Sequence, residues 1–487
     1  MRTKQVAHGR QRLRSRLWVF MLLMLGLWAC KNDTPEIGGE AAPFDPSKPV
    51  VVSDFAPKSG GMGQRLVIYG KNFGNDPKNV EVFIGGKKAI VINVLGESLY
   101  CLVPKQAFKG DIEVRVGGDE KPVVGKAEAL FDYQRKLVVS TLAGYRNARG
   151  DEPWKDGKFK DADENKMASG FWKSSFMKFD PVNPKHLWVT FDENNGLYLI
   201  NFEDSTITTR RAGLQRPRSV DFTLDGKYMI IAQDQGGEDS KSTLLLSRAK
   251  QFLDSETLTE SKQCNGASVH PVNGEMYFNS FAKGEFFRFD LNKYFSEGLG
   301  AKEYTNPFLI QDPEWEYRIQ IHPTGNYAYI IIINRGYIMR ADYNWDKKVF
   351  NQPYLVCGRV RETGYKDGVG SSARVNQPYQ GVFVKNQAYV DAGKPDVYDF
   401  YFTDMMNHAI RVLTPEGAVT TFAGRGSSSL NSNPYGYVNG DLREEARFDR
   451  PSGIAYNEKE GAFYIGDREN RRIRKIALEE MDVNDQD

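Results

Sequence analysis

Phe400-Tyr401-Phe402-Thr403-Asp404-Met405-Met406-Asn407-His408-Ala409-Ile410-Arg411-Val412-Leu413 and Phe463-Tyr464-Ile465-Gly466-Asp467-Arg468-Glu469-Asn470-Arg471-Arg472-Ile473-Arg474-Lys475-Ile476 are two copies of one unit. In each, an apolar strand runs into Asp-x-x-Asn and leaves as a second alternating strand. That is the pattern of a hairpin whose Asp and Asn side chains satisfy the turn backbone. A unit that recurs points to a repeat architecture, in which stacked copies bury what one copy leaves exposed.

Two further sets of matches extend the repeat outward. Val138-Val139-Ser140-Thr141-Leu142-Ala143-Gly144 parallels Ala418-Val419-Thr420-Thr421-Phe422-Ala423-Gly424, and Leu355-Val356-Cys357-Gly358-Arg359 fits the end of the same strand. Turn-rich stretches follow, at Trp154-Lys155-Asp156-Gly157, Tyr365-Lys366-Asp367-Gly368 and Tyr437-Val438-Asn439-Gly440-Asp441. They lead to Gln377-Pro378 or Arg450-Pro451 and a fresh apolar strand. The order resembles NHL repeats, the unit of a β-propeller, most clearly over 355–476. Inner strands are expected near Phe176, Val220, Val269, Ile319, Val382 and Ile454, which implies a six-bladed ring. The last unit lacks an outer strand, while Lys136–Ala143 is an outer strand with no blade before it. Pairing the two closes the ring and removes exposed edges.

Ahead of the repeats, 49–134 reads as short strands punctuated by Pro57, Gly70, Gly85-Gly86 and Gly110, the pattern of an immunoglobulin-like sandwich. Phe55-Ala56-Pro57-Lys58-Ser59-Gly60-Gly61, Val67-Ile68-Tyr69-Gly70-Lys71-Asn72-Phe73-Gly74, Val82-Phe83-Ile84-Gly85-Gly86 and Leu102-Val103-Pro104 resemble an IPT/TIG domain. The resemblance implies a spacer or interaction module and carries over no catalytic residue. The fold class expected is all-β: an IPT/TIG sandwich over 49–134, then a six-bladed NHL-type propeller over 136–480.

The formal net charge of +2 is set by the first 29 residues, which hold six Lys or Arg and no acid. Without them the remainder carries −4, so no global basic field recommends nucleic acid as a partner. Those residues comprise a basic stretch through Arg16, the apolar run Leu17–Trp28, and Ala29-Cys30. The run is too short for a permanent span and matches a secretory segment. It resembles a bacterial lipoprotein signal over 1–29, which implies lipidation of Cys30, a polar tether over 30–48 and outer-membrane anchoring with the chain facing outward. Lys31-Asn32-Asp33 partly resembles the export signal of Bacteroidota surface lipoproteins. Cys101, Cys264 and Cys357 form no disulfide framework, and 481–487 is a polar tail.

Alternating strands place the Asp-x-x-Asn hairpins and the loops leading into the inner strands on one face of the ring. Three of those loops are long, 145–172, 359–378 and 425–450, and long loops on a rigid scaffold are where binding resides. They and their counterparts supply Tyr145, Trp154, Trp172, Trp315, Tyr317, Tyr365, Tyr379, Tyr435 and Tyr437. Such aromatics stack on sugar faces or pack loops against blades. Arg218, Arg318 and Gln380 precede inner strands and are expected to ring the channel mouth, taking a ligand or bonding a neighbouring blade's Asp. Asp404 and Asp467 are read as turn caps, and no metal, cofactor or catalytic residue is assigned. The sequence holds no His-Glu-x-x-His, nucleophile elbow or glycine-rich phosphate loop.

The combination resembles the accessory surface lipoproteins that accompany paired outer-membrane porin and capture-lipoprotein systems in Bacteroidota. That implies non-catalytic binding of an extracellular ligand, a glycan first, by aromatic stacking with weak salt dependence. A protein-interaction scaffold and a polysaccharide lyase or hydrolase are the other two classes open at this point.

Overall fold

The computed structural model describes residues 42–118, 121–144, 153–192, 196–310, 316–426 and 434–480. The signal segment, Cys30, most of the tether, Tyr145, Trp315 and the tail lie outside the described residues. The chain divides into two compact units that part between Arg135 and Lys136.

The first unit stacks two four-stranded sheets. One runs Val51–Ala56, Arg65–Lys71, Ser98–Leu102, Ile90–Leu95; the other runs Lys87–Lys88, Val80–Ile84, Ile112–Val116, Val123–Lys126. Period-two alternation explains the stacking: Leu66 and Ile68 turn inward while Arg65 and Tyr69 turn out. They join Val82, Ile84 and Val114 of the facing sheet in one apolar cluster. At Gly110, φ +69°, a Cβ would come within 2.0 Å of the Phe131 carbonyl oxygen, so only glycine suits this close approach.

The second unit contains six sheets. Their first strands, Ser174–Phe179, Pro217–Phe222, Ala267–Val269, Tyr317–Ile321, Pro378–Lys385 and Pro451–Asn457, touch in that order, and the last returns to the first. Each sheet then continues outward through antiparallel strands. The result is a β-propeller of six sheets around a central axis.

Packing follows from which residue faces which seam. In Tyr228–Gln233, Met229 and Ile231 fill the seam with the first sheet, and Ile230 and Ala232 the seam with the third. Tyr327–Ile332 divides in the same way, Tyr329 and Ile331 to one side and Ala328, Ile330 and Ile332 to the other. Both faces of these strands are therefore apolar, which is why they read as continuous runs instead of alternation.

Ring closure is made by the strand Leu137–Ala143. It pairs antiparallel with Arg472–Leu478, from Leu137 opposite Leu478 to Ala143 opposite Ile473. The first strand of the unit is thus an outer strand of its last sheet. Val139, 1% exposed, enters the seam with Ile410, Ile454, Ile465 and Ile476. Val139→Asp places an unpaired carboxylate in that seam, and urea unfolding should show a loss of about 3 kcal/mol or more; an unchanged midpoint would contradict the closure.

Candidate functional site

Around the axis the inner strands do not pair by backbone, so their polar groups need side-chain partners. Gln380 supplies three: its Oε1 accepts from the Met177 and Ile454 amides at 3.0 and 3.1 Å, and its Nε2 donates to the Met177 carbonyl at 2.7 Å. Asn279 accepts from the Asn265 and Gly266 amides and donates to the Tyr317 carbonyl. Arg318 donates to the Arg218 carbonyl and, at 3.1 Å, to Ser175 Oγ. Gln380 therefore links the fifth sheet to the sixth and the first, and Arg318 links the fourth to the second and the first; both lie below the surface and do not form the exposed ring of ligand-binding groups read from the sequence. Tyr317 is fully buried, its hydroxyl donating to the Glu285 carbonyl, and takes no part in an open site.

The Asp-x-x-Asn hairpins are built the same way in both copies. Asp404 accepts from the Asn376 amide, Asn407 Nδ2 and Arg411, each at 2.7 Å. Asp467 accepts from the Asp449 amide at 2.8 Å, Asn470 Nδ2 at 2.8 Å and Arg474 at 2.7 Å. Both carboxylates and both guanidinium groups are fully buried. Each Asp thus ties its hairpin to the loop that leads into the inner strand of its own sheet, beyond capping its own turn. Burial pushes the Asp404 carboxyl up to about 6, against the opposing pull of Arg411 and Asn407.

The long loops do something other than expected. Gly157–Lys158, Gly368–Val369 and Gly440–Asp441 each add a fifth strand to the outer edge of a sheet, covering edges that would otherwise template aggregation. Their aromatics serve that cover. Trp154 Nε1 donates to Asp156 and Thr209, both at 2.8 Å, and its ring packs on Phe171, Phe191 and Tyr198. Tyr365 pairs its hydroxyl with Thr421 and lies under Arg425. Tyr437 pairs with Thr141 at 2.8 Å and lies under Arg472. Trp172 is covered by Arg471 at 3.8 Å. Trp154, Trp172 and Tyr437 hold loops and do not join in one aromatic platform.

What the hairpins and strand starts do converge on is a cavity of about 400 Å³ at the ring mouth. Five of the six sheets contribute to it. Asp192 comes from the first, Arg216 and Arg218 from the second, Glu316 and Ile333 from the fourth. Gln377, Tyr379, Met405 and Met406 come from the fifth, and Arg450, Arg468 and Glu469 from the sixth. Of the residues expected at the site, Arg218 and Tyr379 line it. Arg218 bonds Asp192 at 3.1 Å, Asp234 at 2.8 Å and Glu316 at 3.4 Å. Burial opposes its charge, but Tyr379 and these three acids outweigh burial and raise its pKa. Tyr379 is buried with Arg318 4.4 Å from its ring; burial pushes its phenol up, and Arg318 and Arg218 bring it below its ordinary value.

Seven of the lining residues that went unread occupy two kinds of position. Met405-Met406 and Arg468-Glu469 are the x-x of the two Asp-x-x-Asn hairpins. Arg216, Gln377 and Arg450 each stand before the proline that opens an inner strand, with φ of +46°, +57° and +51°. Left-handed backbone is uncommon away from glycine and collects at functional sites. The x-x and x-Pro positions were the available signal.

A second cavity, of about 430 Å³, lies between the fourth and fifth sheets at the far end of the same inner strands. His322 stacks on Tyr327 there and stands 3.3 Å from Asp396, which also accepts from the Tyr327 hydroxyl. Among the described residues no three His, Cys, Asp or Glu are grouped to hold a metal ion.

The sandwich and the ring define a two-unit protein: family models match the IPT/TIG domain at 49–133 and the NHL repeat at 448–476. A Bacteroides thetaiotaomicron VPI-5482 protein described as an auxiliary nutrient binding protein is 45% identical over 90% of this chain and 100% of its own, with a TM-score of 0.82. A Bacteroides ovatus ATCC 8483 protein with the same description is 39% identical over 90% and 100%, TM-score 0.67. Another protein of B. thetaiotaomicron VPI-5482, provisionally described as a phosphatase, is 43% identical over 91% and 100%, TM-score 0.85. The chain belongs to the family of these Bacteroides proteins. No curated protein matches it significantly.

Arg411→Met strands the buried Asp404 carboxylate and should cost about 3–5 kcal/mol in urea unfolding. Asp404→Asn with Arg411→Met removes both charges while keeping an acceptor for the Asn376 amide and Asn407, and should recover part of that loss; a double variant no better than the single would contradict the pairing.

Proposed function

We propose that the protein is an accessory nutrient-binding lipoprotein of the outer membrane, and that it binds a glycan at the ring mouth without chemical change. The observation that carries this is the cavity itself. Side chains from five sheets, far apart in sequence, meet there on a rigid frame. Met405, Met406 and Ile333 offer apolar surface beside fixed carboxylates and guanidinium groups. The rest of the lining is charged or polar, a make-up that suits a hydroxyl-rich ligand held by placed hydrogen-bonding groups. The two relatives described as auxiliary nutrient binding proteins support the same role.

The provisional phosphatase description of one relative finds less at the mouth to support it. Asp192 is engaged by Arg216 and Arg218, and Glu316 by Arg218. Burial pushes the thiols of Cys264 and Cys357 up to about 12, away from nucleophile chemistry. Membrane attachment would come from the acyl chains on Cys30, and delivery of the ligand would be to a porin with its capture lipoprotein. Attachment through acyl chains leaves the folded units in water.

Two measurements test this reading. Met406→Trp fills the mouth and should lower affinity for glycans retained by the wild type about tenfold or more, whereas Trp154→Ala should leave affinity within about threefold. The reverse ranking would move the site to the long loops. Metabolic labelling with palmitate should mark the wild type and be abolished by Cys30→Ala; equal labelling would reject the anchor.

A further inference from the structure

The charges at the mouth are not evenly matched. Arg216, Arg218, Arg318, Arg450 and Arg468 stand in or directly beneath it, against Asp192, Asp234, Glu316 and Glu469. Three of those acids crowd on one side: Arg218 reaches Asp192, Asp234 and Glu316, and Arg216 reaches Asp192 at 3.4 Å and Asp234 at 3.1 Å. Arg318, 1% exposed, has no carboxylate within ion-pair distance among the described residues.

On the other side, Arg450 and Arg468 share the single carboxylate of Glu469, at 3.8 and 3.6 Å. Both distances exceed a hydrogen bond. Arg468 has one further side-chain contact, to the Met405 sulfur at 4.0 Å, and its Nε is shielded from solvent with no acceptor among the described residues. The Arg450 side chain is 46% exposed. A wall with this surplus of forked donors suits a planar or tetrahedral anion, which accepts two parallel N–H bonds.

Resting on the reading of the mouth as the ligand site, we propose that its ligand is an acidic sugar, whose carboxylate or sulfate binds between Arg450 and Arg468. The rest of the cavity fits the rest of such a sugar. Hydroxyls donate to the carboxylates of Asp192 and Glu316 on the facing wall, and the C–H face of the ring lies on Met405 and Met406. The weakly salt-dependent binding implied by aromatic stacking is replaced by binding that weakens with ionic strength.

The test is a calorimetric panel of three kinds of probe on the full chain: galacturonate oligosaccharides, dextran-sulfate oligosaccharides, and neutral galacto- and gluco-oligosaccharides. Binding is expected in the uronate or the sulfate arm, and which arm responds identifies the anion. Arg450→Gln with Arg468→Gln should weaken it about tenfold or more and flatten its salt dependence, with the melting temperature unchanged. Neutral probes binding while both acidic arms stay empty would overturn this inference and leave the mouth a neutral-glycan site. Acidic binding blocked by Met406→Trp but untouched by the double arginine variant would overturn it as well. Silence in all three arms would overturn both this inference and the glycan reading beneath it.

Discussion

The pairing of Leu137–Ala143 with Arg472–Leu478 is the constraint on which the rest of the second unit depends. A propeller sheet has two apolar faces and no way to bury either alone. Six seams are filled only if the last sheet meets the first, and here Ala143 shares a seam with Phe171, Leu187 and Tyr464 while Val139 lies in the neighbouring one. The closing strand therefore joins two seams at once, by a backbone ladder and by side chains on both faces. Without it, the sheet of Pro451–Asn457 would present Arg472–Leu478 as an open edge.

Closure alone would give a ring with unsatisfied backbone at its axis and loose hairpins at its rim. Gln380, Asn279 and Arg318 answer the first problem by bonding from sheet to sheet, Gln380 and Asn279 to a neighbour and Arg318 across the axis. The buried pairs Asp404–Arg411 and Asp467–Arg474 answer the second. Each pair holds its Asp and Asn inward, which leaves the two residues between them to face the mouth. The same device therefore presents Met405-Met406 on one sheet and Arg468-Glu469 on the next. A fixed frame with interchangeable lining residues gives one fold many ligands, so chemistry has to be argued from the lining and not from the ring.

This division explains what was legible in the sequence. The repeated residues are the structural ones, so the hairpins, the inner strands and the missing outer strand near Ile476 were all readable from Asp-x-x-Asn and the apolar runs beside it. The lining residues differ in identity between copies, so only their positions, inside Asp-x-x-Asn and before proline, repeat. Arg216 and Glu316 lie far apart in the chain and meet only because the ring brings the second and fourth sheets to one mouth. Trp154 and Tyr437 misled for a physical reason: a ring that covers a sheet edge and a ring that stacks on a sugar are the same residue type in the same kind of loop. Only the bonds to Thr209 and Thr141 separate the two roles.

In this account an early segment of the propeller unit is held as firmly as its final strand. Hydrogen–deuterium exchange read by mass spectrometry compares the two directly. Amides across Leu137–Ala143 should exchange as slowly as those of Arg472–Leu478, in one cooperative step with the inner strand Pro451–Asn457. Exchange of 137–143 at the rate of an unprotected peptide, with 472–478 still protected, would contradict a closed ring and remove the basis for a single mouth.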